Sequence, residues 1–370
     1  MTIVDDTNAY EKWLATQCKV VGDGLDDKHK RMAKEPFKFF RATCYRYARK
    51  LADWLPDLVR SVEDPALQVP SIGDAHIENW GTWRDDEGRL VWGVNDFDEA
   101  AMLPYIHDLI RLATSAELAP DLPGDAESRA RAILAGYRRG LKAPAPFFAN
   151  DSVPWFSDLL ADNRPKRNKF ADELAEAEAA KPPAEVRAIL EAQLPAGTRN
   201  PDFRTWQKGG GSLGRPRYIA IGTWRGGQVV REAKALVPSA WDWAAGRTGN
   251  VGLFVIMATG PYRSPDPFLA VQSGYIVRRI AADSQKISLG AGDAKSFNAE
   301  LLEAMGADIA ATHLSDRASA TKILADLDRQ GPSKWLAATA ETVAGEVADD
   351  FAVWEAHYAD TPSTVPKKRK

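Results

Sequence analysis

The chain changes texture twice, and that limits the architectures open to it. Residues 200 to 290 carry the strand-like runs "RYIAIGTWRGGQVVREAKAL", "GLFVIMATG" and "SGYIVRRIAA", separated by glycine turns. On either side the periodicity is helical, over 104 to 195 and again over 294 to 358, where "FNAELLEAMGADIAATHL" and "GEVADDFAVWEAHYA" are the clearest segments. Separate helical and strand blocks predict an α+β protein. At 370 residues and 45% apolar content, the chain can build two domains or one large two-lobed unit.

Ahead of the strands, Phe37, Phe40, Tyr45, Ala48, Leu51 and Leu55 recur at helical spacing behind Pro36, which predicts a core-facing helix over 36 to 60. After it, "RLVWGV" alternates behind the turn "DDEG" and predicts a short hairpin that delivers Asp96 at its end. Proline breaks near 143 to 146 and 182 to 183 divide the helical block that follows.

Charge and cysteine content give a setting. A formal net charge of -3 exerts no global pull on nucleic acid or an anionic membrane, and the basic end "PKKRK" reads as a solvated terminus. Cys18 and Cys44 cannot build a disulfide framework and have no zinc spacing, so they read as buried thiols of a reducing cytoplasm. The first residues lack the basic flank and apolar run of a secretion signal, and no stretch approaches the ~20 apolar residues of a membrane helix. The expectation is a cytoplasmic protein with no membrane and no nucleic-acid partner.

The chemistry is concentrated in "GDAHIENW" and "NDFDEA". Asp74, followed five residues later by Asn79 and then by a hairpin ending in Asp96, has the spacing of a phosphoryl-transfer site. One carboxylate there takes the proton of an accepting hydroxyl. An amide oxygen and a second carboxylate hold the Mg2+ that bridges the phosphates of ATP. Asp74 fits the catalytic base, Asn79 and Asp96 the metal ligands, and His76 completes a "GDxHxxN" string similar to that of aminoglycoside and choline kinase-like enzymes. The competing reading of the first stretch is a turn, in which Asp and Asn are chosen for their backbone tolerance. A metallophosphoesterase also begins with Gly-Asp-x-His, but only His107, His313 and His357 follow, without an Asn-His pair.

A second block lies far away. "KGGGSLGRPRYIAIG" sets Gly209, Gly211 and Gly214 in a GxGxxG pattern around Ser212, and Lys234 stands on a strand-like run twenty residues after the last glycine. A dinucleotide fingerprint uses the same string but opens a helix. Here the glycines run into a strand, a turn and another strand that ends in lysine, the arrangement that covers nucleotide phosphates.

Together "EPFKFFRATCYRYA", "GDAHIENWGTW", "VWGVNDFDEA", "PYIHDLIRLATS", "GGGSLG", "VVREAKAL" and "YIVRRI" resemble the bacterial domain of unknown function 2252 family, over roughly residues 30 to 360. That resemblance implies a protein kinase-like two-lobed fold and brings no agreed substrate. Asp108, similar to an aspartate of aminoglycoside-kinase-like proteins, is expected to anchor a helix. The blocks stand in the reverse of the usual kinase order, so the expected arrangement is circularly permuted: a helical catalytic lobe over 1–199, a β-rich nucleotide lobe over 200–292, and helices returning over 293–370. Such a site requires Lys234 within about 12 Å of Asp96, so that both address one nucleotide and its metal.

The lysine of this fold is usually held by a helix glutamate, yet none occurs between Glu232 and Glu300, which leaves Asp242 as a shorter substitute. Arg278 and Arg279 are expected near the phosphates, at the rim or in salt bridges, and Asp98 and Glu99 either join the metal site or cap a helix. Trp80, Trp83 and Trp92 read as lobe core. Three activities remain open: phosphoryl transfer to a small-molecule hydroxyl, nucleotide sensing by a pseudokinase that binds a partner, and adenylyl transfer to a protein.

Overall fold

The computed structural model describes residues 1–148, 164–206, 212–249, 251–282, 284, 299–316 and 319–360. Among them are fourteen α-helices and three antiparallel sheets, a mixed α+β architecture.

Helix α1 (Ile3–Gln17) starts at a capping box in which Thr2 and Asp5 satisfy each other's backbone N–H. Helix α2 (Gly22–Met32) follows. The single helix expected over 36 to 60 is instead three, α3 (Pro36–Ala42), α4 (Cys44–Trp54) and α5 (Pro56–Ser61). Thr43 leaves helical geometry at φ -117° and ψ 38°. The second break is proline's: its ring disfavours the helical region for the residue before it, and Leu55 sits at φ -133°. The stretch still faces the core, since Phe37, Phe40, Tyr45 and Leu51 are all buried.

Strands β1 (Gln68–Ser71) and β4 (Ala101–Pro104) form a two-stranded ribbon. Between them, β2 (Trp80–Arg84) and β3 (Leu90–Val94) make the expected hairpin, with Trp80 opposite Val94 and Asp96 just beyond. β5 (Phe147–Phe148) adds a short third strand to it. Trp80 and Trp92 are buried and stacked 6.4 Å apart, so they are core.

The helical body is built by α6 (Ile106–Leu118), α7 (Ala126–Lys142), α12 (Ala299–His313), α13 (Ala320–Gln330) and α14 (Lys334–Asp360). Leu109, Ile133, Met305, Ile309 and Val343 share its core. α7 and α12 approach so closely that a Cβ at Gly136 would overlap the Glu303 carbonyl and one at Gly306 the Ile133 carbonyl. Hydrogen in place of a side chain is what allows this seam.

The five-stranded sheet runs in the order β6 (Arg199–Thr205), β7 (Arg217–Trp224), β8 (Gly227–Ala235), β10 (Tyr275–Ile280), β9 (Ala270–Gln272). The β7–β8 hairpin turns on Arg225 and Gly226, both at positive φ (47° and 81°), which matches the twist of the flanking strands. α9 (Ala184–Gln193) covers one face, burying Val186 and Leu190 on Phe203, Ala220 and Val277. On the other, Ile219 and Val230 meet Trp206 and Leu174 of α8 (Arg164–Glu176). Both helices precede residue 200 yet are layers of the sheet unit.

Between β8 and β9 stand α10 (Ala240–Ala244) and α11 (Gly252–Ala258). The run "GLFVIMATG", expected as a strand, is therefore a helix. A short apolar run carries no readable period, and the buried Leu253, Phe254, Met257 and Ala258 fall on one helical face once it folds. Among the described residues no helix is long and apolar enough to cross a membrane.

Candidate functional site

Asp74 stands on a loop that leaves β1 and is fixed from below. Asp108, in the first turn of α6, accepts the Ile72 N–H at 2.7 Å and the Gly73 N–H at 2.9 Å. His313 of α12 donates to the same carboxylate at 2.9 Å through Nε2, while its Nδ1 is 2.8 Å from the Tyr137 hydroxyl. Asp108 thus anchors the loop backbone rather than a helix end. Gly73 is at φ +76°, and a Cβ there would overlap the Glu99 carbonyl, so the position takes only glycine.

The Asp74 carboxylate is held by Arg111, three residues after Asp108 on α6: Nε donates to Oδ1 at 2.7 Å. Arg111 is wholly buried, its guanidinium 4.2 Å from the Phe40 ring centroid and 4.7 Å from that of Tyr47. Burial raises the Asp74 carboxyl above its ordinary range, Arg111 opposes that rise, and the charges of Glu99 and Asp96 add to it. The second oxygen, Oδ2, is 4.0 Å from His76 Nε2. His76 Nδ1 accepts the Glu78 N–H at 3.2 Å, which assigns the neutral ring's proton to Nε2.

Asn79 ties the two acidic motifs together. Its Nδ2 donates to the Asp74 carbonyl at 3.2 Å and to the Asp96 carbonyl at 3.1 Å, so Oδ1 is the atom of that side chain outside these bonds. The sheet supplies the opposite wall. On β8 the period of two puts Glu232 and Lys234 on one face, and the register sets Arg217 of β7 opposite Lys234 and Arg278 of β10 opposite Glu232. Glu232 accepts Arg278 Nε at 2.6 Å and Arg217 Nη1 at 3.3 Å. Burial penalises its charge, but the two guanidiniums outweigh burial and hold it at about 2.

Lys234 crosses from the sheet to the hairpin. Its Nζ lies 3.3 Å from each carboxylate oxygen of Asp96 and also contacts Asp98, so the separation from Asp96 is far inside the limit such a site requires. Asp242, expected as a substitute partner, instead receives the Ser239 hydroxyl at 2.9 Å at the start of α10. It does not hold Lys234, because the residues ahead of the helix direct it to the cap. Burial raises Asp98 to about 6, with the charge of Asp96 adding to it, and Asp98 Oδ1 is buried with no hydrogen-bond partner among the described residues. Glu99 accepts the Ala240 N–H at 2.6 Å, capping α10.

Sequence reasoning missed Arg111, Arg215 and Lys28. Arg215 donates to Asp98 at 3.3 Å, to Glu99 at 2.6 Å and to the Tyr10 hydroxyl at 3.1 Å, joining the acidic knot to α1. Its position directly after the glycine string was the available signal. Of that string, Gly209 and Gly211 lie outside the described residues. Ser212 accepts Arg217 Nη2 at 3.0 Å, and Gly214, at φ +90°, offers its carbonyl to the Val21 N–H at 2.9 Å, which docks the loop's end on the start of α2. The tail "PKKRK" is also outside the described residues.

Asp74, His76, Asn79, Asp96, Arg217, Glu232 and Arg278 border one cleft of about 400 Å³, a volume within the range of small-molecule sites, and Lys234 and Arg111 reach it through the carboxylates they hold. Asp74, Asn79, Asp96 and Asp98 line one side, and Arg217 and Arg278 the other. Arg279 also borders it and is paired with Asp266 at 3.1 Å. Among the described residues no three His, Cys, Asp or Glu side chains converge as a metal cage. Cys44 is buried and Cys18 half-buried, both with free thiols.

A family model described as "Uncharacterized protein conserved in bacteria (DUF2252)" matches residues 22–154. That span runs from α2 past Asp74, Asn79 and Asp96 and stops before the five-stranded sheet. No curated protein and no solved structure matches the chain.

Proposed function

We propose that the chain is an ATP- and Mg2+-dependent phosphotransferase with a circularly permuted kinase-like plan, acting on a small-molecule hydroxyl. The observation that carries this reading is the meeting of Lys234 with Asp96 at 3.3 Å, across 138 positions of sequence, beside an Asn79 bonded to the backbones of both Asp74 and Asp96.

The donor set suits a hard divalent cation. Magnesium keeps several waters and needs only one or two carboxylates besides the substrate phosphates, so a cage of three acids is not required. Asn79 Oδ1, Asp96 and the orphaned Asp98 Oδ1 are the oxygens that would hold it. When bound, Mg2+ would neutralise charge on the transferring phosphoryl group.

The chain's own residues do the rest. Lys234, Arg217 and Arg278 form the cationic wall for the phosphates, and Glu232 fixes both arginines in place. Arg111 holds Asp74 Oδ1, which leaves Oδ2 to receive a proton. In the step proposed, the acceptor oxygen bonds to the γ-phosphorus and the bond from that phosphorus to the β,γ-bridging oxygen breaks. ADP leaves with the electron pair, and the hydroxyl proton passes to Asp74. An elevated carboxyl suits this duty, since a general base works best with a pKa nearer the operating pH. His76 Nε2 stands 4.0 Å from Oδ2, beside the path of that proton.

A second reading has one observation in its favour: Lys234 is paired with Asp96 and Asp98 instead of a helix glutamate. A nucleotide-binding module that signals to a partner without turnover would keep such a pairing. Incubation with ATP, Mg2+ and a metabolite library, read by mass spectrometry, tests the first reading. A phosphate added to an acceptor supports it; an adenylate added to protein, or tight binding with no product, contradicts it.

A further inference from the structure

One end of the cleft is not used by the phosphotransfer scheme. Lys28, on α2, is 1% exposed and borders the cleft together with Tyr10, Tyr45 and Cys44. Its Nζ lies 4.8 Å from the Tyr45 ring centroid and 5.3 Å from that of Tyr10, two rings stacked at 4.4 Å. Among the described residues no hydrogen-bond or ion-pair partner reaches it. The nearby carboxylates are engaged elsewhere, Glu11 with His29 at 2.8 Å and Glu99 with Arg215 and the Ala240 N–H.

Burying an ammonium without a counter-charge is costly, and the desolvation lowers Lys28 to about 8. Two tyrosine faces return only part of that cost, and a methionine or leucine would fill the space without it. The wall around Lys28 is also continuous with the loop that carries Asp74, because the Cys44 thiol donates to the Gly73 carbonyl at 3.5 Å. The cations of the sheet that border the cleft, Arg217 of β7 and Arg278 of β10, are instead engaged by Glu232.

We propose that the end of the cleft beneath α2 is an anion subsite in which Lys28 receives the carboxylate or phosphate of an anionic alcohol whose hydroxyl meets Asp74. The proposal rests on the phosphotransferase reading of the same cleft and adds the chemical class of its acceptor.

The test is calorimetric titration of inorganic phosphate into the full chain, alone and saturated with Mg2+ and a non-hydrolysable ATP analogue, for wild type, Lys28→Met and Lys28→Arg. In the nucleotide-saturated chain, where the cations of the sheet are occupied, phosphate affinity is expected to fall at least about tenfold in Lys28→Met and to persist in Lys28→Arg, with nucleotide affinity unchanged in both. In that state, phosphate binding that is absent in wild type or indifferent to Lys28→Met overturns the subsite. A parallel loss of nucleotide affinity also overturns it, assigning Lys28 to the phosphates of the donor. Wild type that binds phosphate through Lys28 but binds no nucleotide would sink the donor reading and leave the anion site standing. If Lys28→Met does not fold, the 13C-dimethyl-lysine resonance of Lys28, assigned by its absence in Lys28→Arg, gives the same answer: a phosphate-dependent shift supports the subsite, and an unmoved signal overturns it.

Discussion

At the scale of single residues, the site is a set of buried charges that each need a named partner. Arg111 is the clearest case, because it is enclosed by Phe40 and Tyr47 and spends its charge on Asp74. Arg111→Met leaves that carboxylate unpaired, and breaking a buried pair from one side costs about 3–5 kcal/mol. Chemical denaturation of the variant at pH 7 measures the loss. The same change removes the charge that opposes the rise of Asp74, so the acid limb of any phosphotransfer activity is expected to move to higher pH; an unmoved limb would separate Asp74 from the proton transfer. Glu232 gives the opposite sign. Its folded-state value of about 2 lies below the ordinary 4.5, so its contribution is full above pH 4.5 and is lost as pH falls toward 2. The stability gap between wild type and Glu232→Gln should therefore be constant near neutrality and narrow as the pH drops below 4.5, as denaturant titrations across that range would show.

At the scale of elements, close approach and short strands decide where the groups stand. The α7–α12 seam depends on Gly136 and Gly306, where an added methyl meets backbone carbonyls that cannot swing aside. Gly306→Ala is expected to cost about 1–3 kcal/mol through overpacking, read as a lowered thermal midpoint. Because α12 also supplies His313 to Asp108, disturbance of this seam should reach the Asp74 loop. The elements show where sequence reading succeeds. The β2–β3 and β7–β8 hairpins were legible from alternation and turn residues, since both signals are local. The helix Gly252–Ala258 was not, because an unbroken apolar run fits either state until its neighbours choose the buried face. The division of 36 to 60 into three helices was half legible: Pro56 announced one break, and the backbone change at Thr43 left no mark in composition.

At the scale of the whole molecule, one cleft receives residues from α1, α2, the Asp74 loop, the β2–β3 hairpin and the five-stranded sheet. Asp74, Asn79, Asp96 and Lys234 could be singled out in the sequence because they sit in motifs of recognisable spacing, and the fold brings the four together. Arg111 and Lys28 carried no such mark, and Arg215 only its place after the glycine string, because an isolated basic residue acquires meaning only from what the fold sets against it, as in the partners of Arg111 and Arg215, 37 and 117 positions away. Such long-range closures are the part of a site that no local pattern carries. One of them, the meeting of Lys234 with Asp96, joins residues 138 positions apart, and the proposed phosphotransfer depends on that meeting and not on their order along the chain.

That meeting is tested most directly by calorimetric titration of ATP with and without Mg2+, on wild type and on Asp96→Asn. The account predicts binding that depends on the metal in wild type and falls by at least about tenfold in the variant, while Asp96→Asn keeps its fold. Metal-independent binding, binding indifferent to Asp96, or no binding at all would contradict it.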